Sequence, residues 1–274
     1  MKKGIAFLFA IVIISFGCKT VKQAEYTVLG EYTPNFNWLI EKLNRRVEKL
    51  IEKCYWGVAD GDNVRKGSLI TSKEADSLGW GYIYELNFDA DGNLLSLKDY
   101  NEHNEYIGGW QFFTTNNRLD SAQRIWRDTV KTYDKLKYNT QGLLTEGSDY
   151  DANTDTLMFS WIKTVSKNGD TVEYKIYDKK GALPWKWLYL FDKKGALIGV
   201  EYYGPDGTPK GSHRIKYNDN GLASEVTFFD ENGKPNNVMK RTFEYDSRGN
   251  WIKMTARNDK GEMNIHERMI TYFR

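Results

Sequence analysis

Side chains able to do acid–base, nucleophilic or metal chemistry are few in this sequence and stand far apart. Three histidines, His103, His213 and His266, have no second ligand at metal-binding spacing. The stretch Asn87-Phe88-Asp89-Ala90-Asp91-Gly92 opens like a calcium-binding EF-hand loop, but its twelfth position is Lys98, where that loop requires a bidentate glutamate. Glu173, Glu201 and Glu225 alternate with lysines or aromatics. Such carboxylates serve a hydrolytic pair or, more ordinarily, oppose lysines across a solvated sheet. No glycine-rich phosphate loop leads into a helix, because the glycines sit in bends. These residues predict no enzyme, no metal and no cofactor.

Aromatic surface is the richer resource, at 15% of the chain. Along Pro184–Phe191, Trp185, Trp187, Tyr189 and Phe191 alternate with Leu188 and Leu190. A strand of this pattern is either covered on both faces or exposes an aromatic strip. Trp185, Trp187 and Tyr189 are therefore the candidate binding residues, since aromatic ladders stack on sugar rings or anchor protein partners.

The elements that would position them follow from a recurring phrase of aromatic, Asp or Asn, two polar residues and Gly. It ends at Gly92, Gly142, Gly181, Gly195, Gly207, Gly221, Gly233 and Gly249, with less regular members at Gly169 and Gly261. An Asp or Asn side chain accepts backbone N–H groups two residues on, and Gly takes the positive-φ position that closes the bend. Each phrase is a hairpin corner. From Gly169 to Gly261 the steps run 12, 14, 12, 14, 12, 16 and 12, so alternate corners lie 26 apart and successive ones occupy opposite sheet edges. One edge is followed by Leu, Ala or Asn-Trp (Gly142-Leu, Gly195-Ala, Gly221-Leu, Gly249-Asn-Trp), and the other by prolines Pro184, Pro209 and Pro235. Asn104 stands 12 after Gly92, where Gly is expected, and Thr154 stands 12 after Gly142. The spacing predicts an all-β antiparallel meander of about 12–15 strands, built from β-hairpin repeats into a curved sheet.

From Thr33 to about Tyr55, Phe36, Leu39, Ile40, Leu43, Val47, Leu50, Ile51 and Cys54 fall at helical spacing, opposite Glu41, Lys42, Arg45, Arg46, Glu48 and Lys49. This predicts one N-terminal amphipathic helix, capped by Thr33 and lying across the apolar sheet face or on a membrane surface. A short helix is expected to begin near Thr71.

The N-terminus pairs Lys2 and Lys3 with an uncharged run from Gly4 to Gly17, too short to span a bilayer. Ile14-Ser15-Phe16-Gly17-Cys18 resembles the lipobox of bacterial lipoproteins, with Phe16 departing from the usual small residue; the resemblance implies lipidation of Cys18 and membrane anchoring through the lipid. Removing 17 of the 274 residues takes away two of 39 basic side chains, leaving 37 against 37 acidic ones. Near-zero charge with interspersed signs excludes a nucleic-acid footprint. Cys54, then the one remaining thiol, is expected to be buried.

Tyr245-Asp246-Ser247-Arg248-Gly249-Asn250 and its weaker copies over roughly 82–272 resemble the YD (rearrangement hot spot) repeats of bacterial envelope and toxin proteins. More loosely, they resemble variant MORN-type repeats of bacterial lipoproteins. The resemblance implies a long meander that winds into a shell, and nothing catalytic. The combined expectation is a signal at 1–17, a lipidated tether at 18–32, helix and loops at 33–81 and a repeat domain at 82–274. Such a chain would be anchored in the bacterial envelope, with the outer membrane as the default. Its expected role is a protein-interaction module or scaffold, or alternatively a glycan or peptidoglycan binder using the aromatic face.

Overall fold

A computed structural model describes Leu43 and residues 46–274, apart from 79–82, 116–117 and 184. The signal, Cys18, the tether and the first part of the expected helix lie outside the described residues. The strands are β1 (Val47–Asp60), β2 (Asn63–Leu69), β3 (Ile83–Phe88), β4 (Leu94–Tyr100), β5 (Tyr106–Thr115), β6 (Arg118–Trp126), β7 (Thr129–Tyr138) and β8 (Leu144–Asp151). They continue as β9 (Thr156–Val165), β10 (Thr171–Asp178), β11 (Trp185–Phe191), β12 (Leu197–Tyr203), β13 (Pro209–Tyr217) and β14 (Ala223–Phe229). The last are β15 (Pro235–Tyr245), β16 (Trp251–Asn258) and β17 (Met263–Tyr272), and one helix, α1 (Ser72–Leu78), follows β2.

The sheet is closed, which corrects the open curved meander. β3 to β17 pair in chain order, and β1 joins the two ends, antiparallel to β17 over Val47–Trp56 and to β3 over Lys49–Glu52. Of the seventeen strands among the described residues only β2 stands outside the ring, hairpinned onto the far end of β1, so the barrel has sixteen. Closure satisfies the backbone groups that two free edges would leave bare. The strand count exceeds the expectation because chain before residue 82 supplies β1 and β2. In addition, β6 and β7 meet at a two-residue turn, Arg127-Asp128 (φ 47° and 59°), that contains no glycine.

The described part of the expected amphipathic helix, from Val47 to Tyr55, is strand β1. Helical spacing misled because the buried series there is Leu50, Glu52 and Cys54, a period-two pattern whose middle member is charged. Hydrogen bonding to a strand on either side decides the conformation, and a helix has no free ladder to offer them. α1 begins where a short helix was expected: Thr71 N–H and Oγ1 both donate to Glu74 Oε2 at 2.8 Å, while Glu74 N–H donates back to Thr71 Oγ1, a capping box.

The corners share one geometry. At the corner closed by Gly249 (φ 82°), Asp246 Oδ1 accepts the N–H groups of Arg248 and Asn250 at 2.9 and 3.0 Å, and Gly249 N–H donates to Asp246 O. A Cβ at that φ is strained, so Gly is the default there. Gly142, Gly181, Gly195, Gly207, Gly221 and Gly233 take the same conformation. Asn104 does so at φ 60°, and in the next irregular corner it is Asp155, not Thr154, that turns left-handed. At one edge, tyrosines at strand ends act as struts to the neighbouring corner. Tyr272 OH donates to Asp246 and accepts from Asn250, Asn218 Nδ2 donates to Tyr245 OH at 3.2 Å, and Tyr217 OH donates to Leu197 O at 2.6 Å.

The two faces of the wall differ. Outward-facing ion pairs recur around the barrel: Lys137–Glu146 (2.8 Å), Lys175–Glu173 (3.2 Å), Arg214–Glu201, Lys216–Glu225 and Lys253–Glu244 (each 2.6 Å), with Lys49–Glu85 (3.6 Å) beside the closure. A lysine on a lipid-facing barrel wall costs about 2–4 kcal/mol near the bilayer midplane. A wall carrying so many is built for water. No described helix is long and apolar enough to cross a membrane.

Candidate functional site

The inner face is divided along the strands. At the edge of the Gly142, Gly195, Gly221 and Gly249 corners it is apolar: Leu50, Leu86, Leu97, Leu119, Leu144, Trp161, Val172, Tyr189, Phe191, Leu197 and Trp251 are buried in contiguous clusters. Side chains fill this half. Gly147 gives Trp161 its place, since a Cβ there would stand 2.2 Å from the indole ring. Toward the other edge the same face carries Glu52, Cys54, Asp99, Arg124, Thr132, Asp134, Asp149, His213, Asn237, Arg241, Asn264, His266 and Arg268. Buried oxygens without a hydrogen-bond donor gather here, on Asp99, Asp134, Asn237 and Asn264 among others. Arg124, on this inward face, is solvent-exposed, so the half is wet.

Three groups of side chains stand out in this polar half. On β4–β8, Asp134 and Asp149 oppose each other directly across β7 and β8. Burial and then the charge of Asp149 raise the Asp134 carboxyl, and burial raises Asp149 against the pull of Asp134, Thr132 and Arg124. Burial likewise lifts Asp99 to about 7 despite Arg124. The pair holds a proton at neutrality.

On β11–β14 an aromatic ladder crosses four strands. Trp187 meets Tyr202 at 5.8 Å between centroids, Tyr202 meets His213 at 5.9 Å, and His213 meets Phe228 at 5.8 Å, with ring planes crossing at 87°, 44° and 50°. Every rung is half-buried. Tyr202 OH lies 3.2 Å from His213 Nδ1, and burial, reinforced by Arg214 and Arg241, depresses His213 to about 4, so the ring is neutral. Asn237 pairs with Phe228 and continues the row.

On β1 and β17, Cys54 faces His266 and Glu52 faces Arg268 in register. His266 Nδ1 is 2.7 Å from Glu52 Oε1 and 3.1 Å from Cys54 Sγ, and Arg268 Nε donates to Glu52 Oε2 at 2.8 Å. Burial opposes the Glu52 charge, but Arg268 and His266 outweigh it and hold the carboxyl at about 2. Burial, then the Glu52 charge, raises the Cys54 thiol. A thiol–imidazole–carboxylate relay would use the two ring nitrogens separately. Here both partners meet the same nitrogen, and Cys54 is inaccessible. The trio is no nucleophilic triad.

The expected binding residues do not share one open groove. All three point inward from β11, but Trp185 is 49% exposed at the rim, Trp187 is the first rung of the ladder, and Tyr189 is only 7% exposed in the apolar half. The ladder's other rungs lie on three later strands, so no single stretch of sequence displays them together. Their common signal is position: Tyr202 and Phe228 are each the penultimate residue of their strand, directly before the aromatic that opens a corner.

No protein-family model matches the chain, and no curated protein does. Among solved structures it is similar to a porin-like protein from Bacteroides uniformis (10% identity over 84% of this chain and 98% of that one, TM-score 0.35). It is also similar to a porin-like protein from Bacteroides vulgatus (11% identity, 83% and 98%, TM-score 0.39). A third likeness is to an outer membrane lipoprotein-sorting protein domain from Vibrio parahaemolyticus (11% identity, 82% and 86%, TM-score 0.26). These findings indicate no YD or MORN-type repeat family. The YD resemblance is corrected accordingly: Asp-x-x-Gly chemistry makes a hairpin corner in any antiparallel sheet, and here the corners serve a closed ring of fixed strand number.

Proposed function

We propose that this chain is a non-catalytic binding protein of the bacterial envelope that takes an amphiphilic ligand, with an extended acyl-like part, against the aromatic ladder of its inner wall. The observation that carries the reading is the half-open ladder Trp187–Tyr202–His213–Phe228, set inside a barrel whose outer wall is charged. Apolar surface turned inward and left partly accessible is where such a protein would hold what water rejects. Rings crossing at 44–87° form no continuous flat platform along which successive sugar rings would stack. An acyl chain needs only apolar contact, which the half-buried rings of Trp187, Tyr202 and Phe228 offer, with the packed core of Tyr189, Val200 and Val226 closing the floor beneath them. The lipobox-like segment ending at Cys18 supports the envelope address, with anchoring through its lipid.

The test is displacement of a fluorescent long-chain fatty acid from the full chain carrying Cys18→Ser, with purified peptidoglycan pelleted in parallel. Saturable one-to-one binding that weakens at least tenfold in a Tyr202→Ala/Phe228→Ala variant is the expected result. Absence of saturable binding overturns the proposal. So does pelleting that is lost in Trp185→Ala/Trp187→Ala, which would make the ladder's rim a glycan site instead.

A further inference from the structure

We propose that Glu52, Cys54 and His266 form a zinc site on the inner wall beneath α1. The three donor atoms, one carboxylate oxygen, one sulfur and one imidazole nitrogen, lie within 4.8 Å of one another. Two come from β1 at positions i and i+2, which share a face, and the third lies directly opposite on β17, so the strand register itself assembles the set. Thiolate, imidazole and carboxylate together are the donor classes zinc takes.

The distances suit a contracted, metal-free form. Tetrahedral bonds of about 2.3 Å to sulfur and about 2.0 Å to nitrogen and oxygen place neighbouring ligand atoms about 3.3–3.5 Å apart. The present separations are 3.1 Å (Sγ to Nδ1) and 2.7 Å (Nδ1 to Oε1), so loading asks for an opening of about half an ångström. Arg268 supports the geometry, because its Nε bonds the other carboxylate oxygen, Oε2, and fixes Glu52 while leaving Oε1 to a metal. Ligating carboxylates are commonly held this way by an outer partner. Asn264, two residues before His266 on the same face of β17, has its Oδ1 buried with no hydrogen-bond donor and is the protein group we assign as the fourth ligand.

Cys54 is packed against Ile70 and Ala75 of the α1 segment, whereas the His266 side chain keeps 14% exposure, which gives an ion its approach from the wet half. As the Zn–S bond forms, the Cys54 thiol releases its proton to solvent, so affinity rises with pH. No oxidant or further reactant is needed. The inference is independent of the ladder's ligand.

The experiment uses the full chain carrying Cys18→Ser, which leaves Cys54 as the single thiol of the two in the sequence. Chelator-stripped protein is titrated with Zn(II) against a chromogenic competitor, and with Co(II) by absorption spectroscopy. One equivalent of zinc, a thiolate-to-cobalt charge-transfer band, and a loss of at least tenfold in affinity for both Cys54→Ser and His266→Ala are expected. Zinc uptake unchanged by Cys54→Ser overturns the site. A cobalt complex of the parent chain without the charge-transfer band also does so, and that readout holds even where a variant fails to fold.

Discussion

The two halves of the barrel interior are made by the same strands and yet obey opposite rules. Near the Gly142, Gly195, Gly221 and Gly249 corners, the first inward residues are Leu144, Leu197, Leu222 and Trp251, all buried. Near the Gly181, Gly207 and Gly233 corners, the inward residues are half-buried aromatics, amides and charges. One half contributes hydrophobic burial. The other holds groups that stay costly unless water, a partner or a ligand meets them. The difference teaches that stability and recognition are separated along the strand axis, so a substitution's effect should depend on which half it strikes.

The largest effect should come from the apolar half. Trp161→Ala is expected to cost about 3–5 kcal/mol and Leu144→Ala about 2–5 kcal/mol, measured by guanidinium unfolding. Phe228→Ala, on the ladder, should cost no more than about 1–2 kcal/mol, because its ring is already half in water. Equal losses at Trp161 and Phe228 would erase the division.

Glu52 is the exception that sharpens the comparison, a charge in the wet half that stabilises. Its folded-state carboxyl is held at about 2, below the ordinary glutamate value of 4.5. A depressed acid stabilises fully above its unfolded value and loses that contribution as pH falls through the folded one, here from about 4.5 down to about 2. The shift corresponds to about 3 kcal/mol. Urea midpoints between pH 2 and 6 should therefore drop steeply in the parent chain. In Glu52→Gln they should start low and change less, and a parallel drop would remove Glu52 as the cause.

The Asp134–Asp149 pair behaves in the opposite sense. Both carboxyls are raised, so the folded state binds more protons than the unfolded one between about pH 4 and 8, and the pair's contribution worsens as pH rises through that window. Asp134→Asn removes the charge that must otherwise be buried or protonated. At pH 8 it should stabilise by about 1–3 kcal/mol, and the gain should vanish near pH 4. A destabilised Asp134→Asn at pH 8 would mean that the ionised pair is held by a cation.

Much of the local architecture was legible in the sequence, and the closure was not. The 26-residue alternation of corners separates the two edges, and the Leu and Asn-Trp that follow one set are now the apolar half. Whether a long meander stays open depends on its first strand, and Val47–Tyr55 disguised itself through Glu52, whose burial needs Arg268 from 216 residues away. The zinc ligands share that obstacle: Cys54 and His266 are 212 residues apart, and only strand register makes them neighbours. The ladder was read at Trp187 alone, since its other rungs are single aromatics on separate strands.

The smallest expected effect lies outside, where the charged wall extends the comparison from the two halves of the interior to the exterior. Lys216 Nζ and Glu225 Oε1 are 2.6 Å apart, but the lysine side chain is 75% exposed, and water screens the pair. Replacing both by alanine should shift unfolding by no more than about 0.5 kcal/mol and leave the Cys18→Ser chain soluble without detergent. Glu52 and Arg268 have a contact of similar length, 2.8 Å, but both side chains are 1% exposed. Losing one partner there strands a buried charge, whereas losing one outside exposes nothing new. If the outer pair proved as costly as the inner one, the wall could not be facing water, and the contrast between a charged, solvated exterior and an interior that holds its charges in buried pairs would fall.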